Sequence, residues 1–212
     1  MYYLRVVAQD YCSGNSVNIS TFAYYFHTLI ATAPQMLYCE GFLHGYSGRR
    51  KITFDTTGIT ADLTNFPVLV KLDSGNFTFA DAQANGEDIR FLDADMTPLP
   101  YEIESWDSGG ETASVWVKVP TLDAPSTTDY IWMYYGNLDA QDDQNRKGVW
   151  VQNYILVLHM NEDLTDYLDS TPNELFCRPA NNVTRGVAGK TAQAAMVDGI
   201  DDYIWIHPTG LM

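Results

Sequence analysis

Thr112-Ala113-Ser114-Val115-Trp116-Val117-Lys118-Val119 alternates residue by residue. Successive side chains of a strand point to opposite sides. Ala113, Val115, Val117 and Val119 therefore share one face, and Trp116 and Lys118 the other. One apolar face and one mixed face predict a half-buried antiparallel strand. Similar runs flank it: Arg49-Arg50-Lys51-Ile52-Thr53-Phe54, Phe66-Pro67-Val68-Leu69-Val70-Lys71-Leu72, Asp88-Ile89-Arg90-Phe91, Leu99 to Trp106 and Tyr130 to Tyr135. Thr57-Gly58, Asp73-Ser74-Gly75-Asn76, Asn85-Gly86 and Asp107-Ser108-Gly109-Gly110 punctuate them as turns. Runs of this length between such turns predict an all-β, antiparallel β-sandwich over residues 43–140, jelly-roll-like in class. Phe79 to Ala84 is the one stretch that reads as a short helix.

Asp139 to Lys147 is polar, acidic and free of aromatic residues, as a boundary between units should be. A second β-rich unit is expected over 148–212. Tyr154 to Met160 reads as its first strand, Asp163 to Thr184 as mostly loop, and Asp198 to Ile206 as a turn and strand. Residues 1–42 carry no assignment. Tyr2 to Ala8 alternates like a strand, and no Asp, Glu, Lys or Arg occurs between Tyr11 and Cys39. His27, Pro34, Gln35 and several hydroxyl residues dilute Ile19 to Tyr38 too far for a membrane span. Ala31-Thr32-Ala33 has the small-x-small form of a signal-peptide cut, yet only Arg5 supplies positive charge before it. Met36 offers an alternative start.

The chain of 212 residues carries a net charge of −15, which repels phosphate backbones and argues against a nucleic-acid partner. Acidic surfaces suit divalent cations, cationic partners or solubility. Cys12, Cys39 and Cys177 make neither a disulfide framework nor a close metal-binding pair. Asn18, Asn76 and Asn182 each open an Asn-x-Ser/Thr sequon, which matters only in a eukaryotic secretory pathway.

Several of the quoted runs resemble one known family. Arg49-Arg50-Lys51-Ile52, Asp62 to Val70, Asp88-Ile89-Arg90-Phe91, Leu99-Pro100-Tyr101-Glu102-Ile103-Glu104, Val115 to Pro120 and Tyr134-Tyr135-Gly136-Asn137 are similar, in order and spacing, to the domain-of-unknown-function family 2341. Met96 departs from it, since members often carry Gly there, and altered loop geometry is expected. Leu158-His159-Met160-Asn161-Glu162, Asp169-Ser170-Thr171-Pro172-Asn173, Val187-Ala188-Gly189-Lys190 and Asp198 to Ile204 resemble the start of a concanavalin A-like, laminin G-like lectin/glucanase domain. The resemblance implies an incomplete concanavalin A-like β-unit after the sandwich, with strand edges that other protein subunits would complete. It also implies an extracellular, cell-surface or virion protein of the phage tail-fibre kind, non-enzymatic, acting in adhesion by binding carbohydrate or a neighbouring protein. The alternatives are a structural spacer carrying a downstream lectin domain, and a glycoside hydrolase fragment.

Three sets of residues are candidates for chemistry. Trp116, Trp106 and Tyr134 are aromatic residues on expected strands, and aromatic rings stack on the apolar faces of sugars. By alternation Trp116 is expected to stand exposed opposite the valine face. Asp198, Asp201 and Asp202 put hard oxygen donors on one turn, which suits calcium and equally suits turn formation. Glu102 and Glu104 share one strand face, close enough for a glycosidase pair, but the expected reading is a solvated face flanking Ile103. His159 is expected to pack and hydrogen-bond. His27, His44 and His207 lack Cys or His neighbours at metal-ligand spacing.

Overall fold

The alternation of the Thr112–Leu122 strand is what two sheets pack around. The computed structural model describes residues 38–39, 42–151, 153–162 and 166–208. The expectations placed on residues 1–37, including the strand at Tyr2 to Ala8, the signal-peptide reading and Cys12, lie outside them.

A minimal hairpin of β1 (Tyr38–Cys39) and β2 (Phe42–Leu43) precedes six longer strands. These are β3 (Gly48–Thr53), β4 (Leu63–Asp73), β5 (Arg90–Leu92), β6 (Tyr101–Asp107), β7 (Thr112–Leu122) and β8 (Tyr130–Tyr135). They form two antiparallel three-stranded sheets with orders β3-β8-β5 and β4-β7-β6. Val115, Val117 and Val119 of β7 meet Ile131 and Met133 of β8, Phe91 of β5, Val70 and Leu72 of β4, and Tyr101 of β6 in one core. Fully burying each such side chain stabilises the fold by about 1.5–3 kcal/mol. The sandwich is all-β and antiparallel, as the alternation predicts.

Two motif segments close this core from one end. The buried Asp88 carboxylate accepts from Gln83 N at 2.8 Å, Gly136 N at 2.6 Å and Asn137 N at 3.1 Å. Gly136 has φ +82°, and a Cβ there would lie 2.0 Å from Ser47 Oγ, so the Tyr-Tyr-Gly-Asn turn requires glycine. The helix expected at Phe79 to Ala84 shortens to a 3-10 turn at Phe79–Asp81. Met96 adopts φ +71°, the left-handed conformation that a glycine would take without strain. The turn keeps that geometry, and the methionine packs against Leu43, Leu92 and Tyr134.

Beyond β8 the polar stretch from Asp139 lies along β6. Asn145 N donates to Tyr101 O at 2.9 Å, and Ile103 N donates to the Gln144 side chain at 2.6 Å. Arg90 adds a hydrogen bond to Gln141 O and an ion pair with Asp143 at 3.5 Å. A single helical turn follows, α1 (Arg146–Val149), whose Asn145 side chain caps Gly148 N at 2.9 Å. The strand expected at Tyr154 to Met160 is reduced to an isolated bridge, Leu158 with Asp169, because this segment is spent on side-chain contacts to β6. The C-terminal unit holds two antiparallel pairs. One joins β9 (Phe176–Ala180) to β12 (Tyr203–His207), the other β10 (Thr184–Ala188) to β11 (Gln193–Met196). The expected loop from Asp163 to Thr184 thus contains β9, which pairs with a strand more than twenty positions away.

Candidate functional site

The outer face of the β4-β7-β6 sheet was expected to meet solvent, and it does not. Glu102 and Glu104 of β6 are both 7% exposed. A bulge makes this possible: the register shifts between Ile103 and Ser105, so Glu104 is the extra residue and turns to the same side as Glu102. The segment after α1 then folds over both carboxylates. The solvated-face expectation fails because a stretch more than forty residues away supplies the cover.

Every oxygen of the two carboxylates has a donor. Glu102 Oε2 accepts from Trp150 Nε1 at 2.5 Å and lies 3.1 Å from His159 Nε2, while Glu102 Oε1 accepts from Ser170 Oγ at 2.6 Å. Glu104 Oε2 accepts from Trp116 Nε1 at 2.6 Å and lies 3.5 Å from His159 Nδ1, and Glu104 Oε1 accepts from Thr191 Oγ1. Asn161 Nδ2 donates to Glu104 O at 2.9 Å. The His159 ring therefore bridges both carboxylates, one at each nitrogen. Burial alone would lower its pKa, but the hydrogen bond to Glu102 and the charges of Glu102, Glu104 and Glu162 outweigh burial and hold it above its ordinary value. Burial likewise pushes the Glu102 carboxyl up, and the hydrogen bond and charge of His159, with Ser170 and Trp150, bring it below the usual range.

Asp169 organises the loop that delivers Ser170. Its carboxylate accepts from Val157 N, Thr171 N, Thr171 Oγ1 and Leu175 N, at 2.9–3.2 Å. A polar cleft of about 480 Å³ opens beside the junction, between α1, Glu102 and the Asn161–Glu162 segment. Glu162 Oε1 accepts from Leu168 N at 2.9 Å, and Glu162 Oε2 is a buried acceptor with no hydrogen-bond partner.

None of the three aromatic candidates is a free platform. Trp116 does leave the valine face, but its ring packs against Trp150 (5.1 Å between centroids, interplanar 62°) under the C-terminal segment. Trp106 packs edge-on against Phe77 and Phe79 at the core, beneath Gly86. Tyr134 is fully buried among Leu43, Tyr46 and Met96. Alternation assigns a face correctly but cannot tell which distant segment covers it.

The exposed rings lie elsewhere. Tyr203 is 44% and Trp205 56% exposed. They share one face of β12, with centroids 5.5 Å apart and planes at 71°. Arg178 of β9 stands opposite Trp205 in register and forms a two-point pair with Asp166 (2.8 and 3.0 Å). The Tyr-Ile-Trp-Ile-His alternation was the available signal for these two.

Asp198, Asp201 and Asp202 do converge, with one oxygen from each lying within 4.8 Å of the others. Their oxygens also serve the turn: Asp198 Oδ1 accepts from Ile200 N at 2.8 Å, and Asp202 accepts from Asn182 N at 2.9 Å and Asp198 N at 3.1 Å. The Cys177 thiol is buried and pushed up to about 11, first by burial and then by nearby carboxylates, so it stays a protonated packing group. No helix among the described residues is long and apolar enough to cross a membrane.

Comparison with known families bears on the junction. Residues 85–171 match the family described as domain of unknown function DUF2341. The DUF2341 match contains both carboxylates of β6 and also Trp150, His159 and Ser170, the three side chains that hold Glu102. It continues past the polar stretch and stops at Thr171, whose hydroxyl bonds Asp169. The Glu–His junction thus lies within one family-matched stretch. No curated protein and no solved structure matches the chain.

Proposed function

We propose that the chain is a non-enzymatic adhesion module of an extracellular, cell-surface or virion protein of the tail-fibre kind, binding carbohydrate through its C-terminal β-unit. The observation that carries this reading is the exposed pair Tyr203 and Trp205 on one face of β12. Large exposed aromatic rings on a strand are costly to hydrate, and they stack well on the apolar face of a sugar. The adjacent Arg178–Asp166 pair supplies fixed polar groups for sugar hydroxyls. In this reading the unit is the first part of a concanavalin A-like lectin domain that further strands or subunits complete, and the sandwich is its scaffold. The acidic turn next to Tyr203 would hold calcium and brace the platform.

The saturation of Glu102 and Glu104 supports the non-enzymatic reading. A glycosidase acid or nucleophile must face its substrate with a free oxygen or proton. Both carboxylates here spend their oxygens on protein donors.

A glycan array probed with the purified 1–212 chain, with calcium and with chelator, tests the reading. Binding that is lost in Trp205→Ala supports it, and chelator sensitivity assigns the acidic turn a part in it. A folded chain that binds no glycan in either condition sinks it and favours a structural spacer, a role to which the sealed junction is also suited.

A further inference from the structure

The two sheets of the sandwich share a core but no hydrogen bonds. On one flank they end in strands β3 and β4. Among the described residues β3 pairs only with β8, and β4 only with β7. Both outer edges therefore border the same groove, of about 330 Å³. Ile52, Val68, Val70 and Leu72 line its inside, and Arg50, Lys51 and Lys71 its mouth.

The edge of β4 is eleven residues long, about twice the usual strand length. Lys118 N donates to Pro100 O, away from β4, so the Pro67–Lys118 pair is a non-hydrogen-bonded one. The backbone groups of Pro67, Leu69 and Lys71 consequently point outward. Pro67 has no N–H to offer, so the outward donors are those of Leu69 and Lys71. The proline blunts one half of the edge and leaves the other half open to pairing.

The charge of this flank opposes that of the chain. The net charge is −15, yet neither β3 nor Leu63 to Leu72 contains an Asp or Glu. Arg50 and Lys71 have no ion-pair partner among the described residues, and the Lys51 ammonium stands 3.8 Å over the Tyr130 ring. An added strand would alternate its side chains between the apolar groove and the cationic mouth.

We propose that this flank is a strand-addition site for an extended acidic segment of a partner polypeptide, in which apolar residues alternate with Asp or Glu. Main-chain bonds to Leu69 and Lys71 would give the register. The groove would take the apolar side chains, and Arg50 and Lys71 would select acidic over basic partners.

The test is a fluorescence-anisotropy titration of the 1–212 chain with a labelled ten-residue peptide alternating Val and Glu. Its controls are the Val/Lys peptide and poly-aspartate of equal length. The proposal expects the Val/Glu peptide to bind at least about tenfold more tightly than either control. It also expects the affinity to fall as salt rises from 50 to 300 mM, and to drop about tenfold in the R50E/K71E double variant. Leu69→Pro removes an outward donor and should abolish binding. If that variant misfolds, the surface double variant still decides the matter. Equal binding of poly-aspartate would reduce the flank to a cationic patch and overturn the proposal. So would unchanged affinity in R50E/K71E, or no binding of the Val/Glu peptide to the folded chain.

Discussion

His159 Nε2 lies 3.1 Å from Glu102 Oε2, and its other ring nitrogen lies 3.5 Å from Glu104 Oε2. One imidazole thus ties a C-terminal segment to two carboxylates on neighbouring turns of a bulged strand. Glu102→Ala would strand the His159 ring, the Trp150 indole N–H and the Ser170 hydroxyl without their shared acceptor. Breaking a buried pair in this way costs about 3–5 kcal/mol. Guanidinium unfolding of the variant should show that loss, whereas a change below about 0.5 kcal/mol would place the pair outside the folded core's energetics.

The same pair sets a pH window. The folded pKa of His159 is raised, so its contribution is complete below the ordinary imidazole value of 6.5 and is lost as pH climbs through the raised value. The folded pKa of Glu102 is depressed, so its contribution is complete above the ordinary 4.5 and is lost as pH falls through the lowered value. Both are in force together between pH 4.5 and 6.5. Urea midpoints measured across pH should be highest in that interval, and His159→Gln should flatten the alkaline side of the curve.

Trp150 is 5% exposed and touches Trp116, Tyr154 and His159. Trp150→Ala removes that ring and one donor to Glu102 at once. A loss of about 3–5 kcal/mol is expected, from thermal or denaturant unfolding. Retained stability would mean that the C-terminal segment docks by other contacts.

Asp88 makes its case inside the sandwich. Three backbone N–H groups converge on its buried carboxylate, from the Gln83 turn and from Gly136-Asn137. Asp88→Ala leaves those donors buried and unpaired, and a loss of about 3 kcal/mol is expected. Amide exchange at Gly136 should accelerate in the variant; unaltered protection there would show that water replaces the carboxylate at no cost.

Trp205→Ala separates binding from folding. Its ring is exposed on β12 and outside both core clusters, so unfolding should move by no more than about 0.5 kcal/mol. A large loss of stability would identify the ring as structural instead of a recognition surface.

The sandwich was legible because its signal is local. The valine face of β7 lies within one run of eight residues, and Gly and Asp mark the turns between strands. The motif residues were legible too, but not their meeting. Glu102 and His159 are separated by 57 positions, and nothing in either segment names the other. A bulge at Glu104 adds to this, since an extra residue reverses the facing of everything after it. Hence Trp116 reads as exposed from its own strand, while its cover is encoded at Trp150. The aromatic pair on β12 has an alternating signal, but β12 finds its partner in β9 across the β10–β11 hairpin, so its outward face depends on that pairing. Met96 shows the opposite case: the sequence marks a departure from glycine, and the backbone keeps the glycine's conformation.

The stretch from Asp139 to Asn145 is fastened along β6 by Arg90, Gln144 and Asn145, and the segment after it is fastened across the same strand by His159 and Ser170. Tension applied at the C-terminal unit would therefore reach the sandwich spread over one strand, with many bonds loaded in parallel. Such an attachment yields by shear and not by unzipping, which is what a protein tethered at one end and gripping a surface at the other requires.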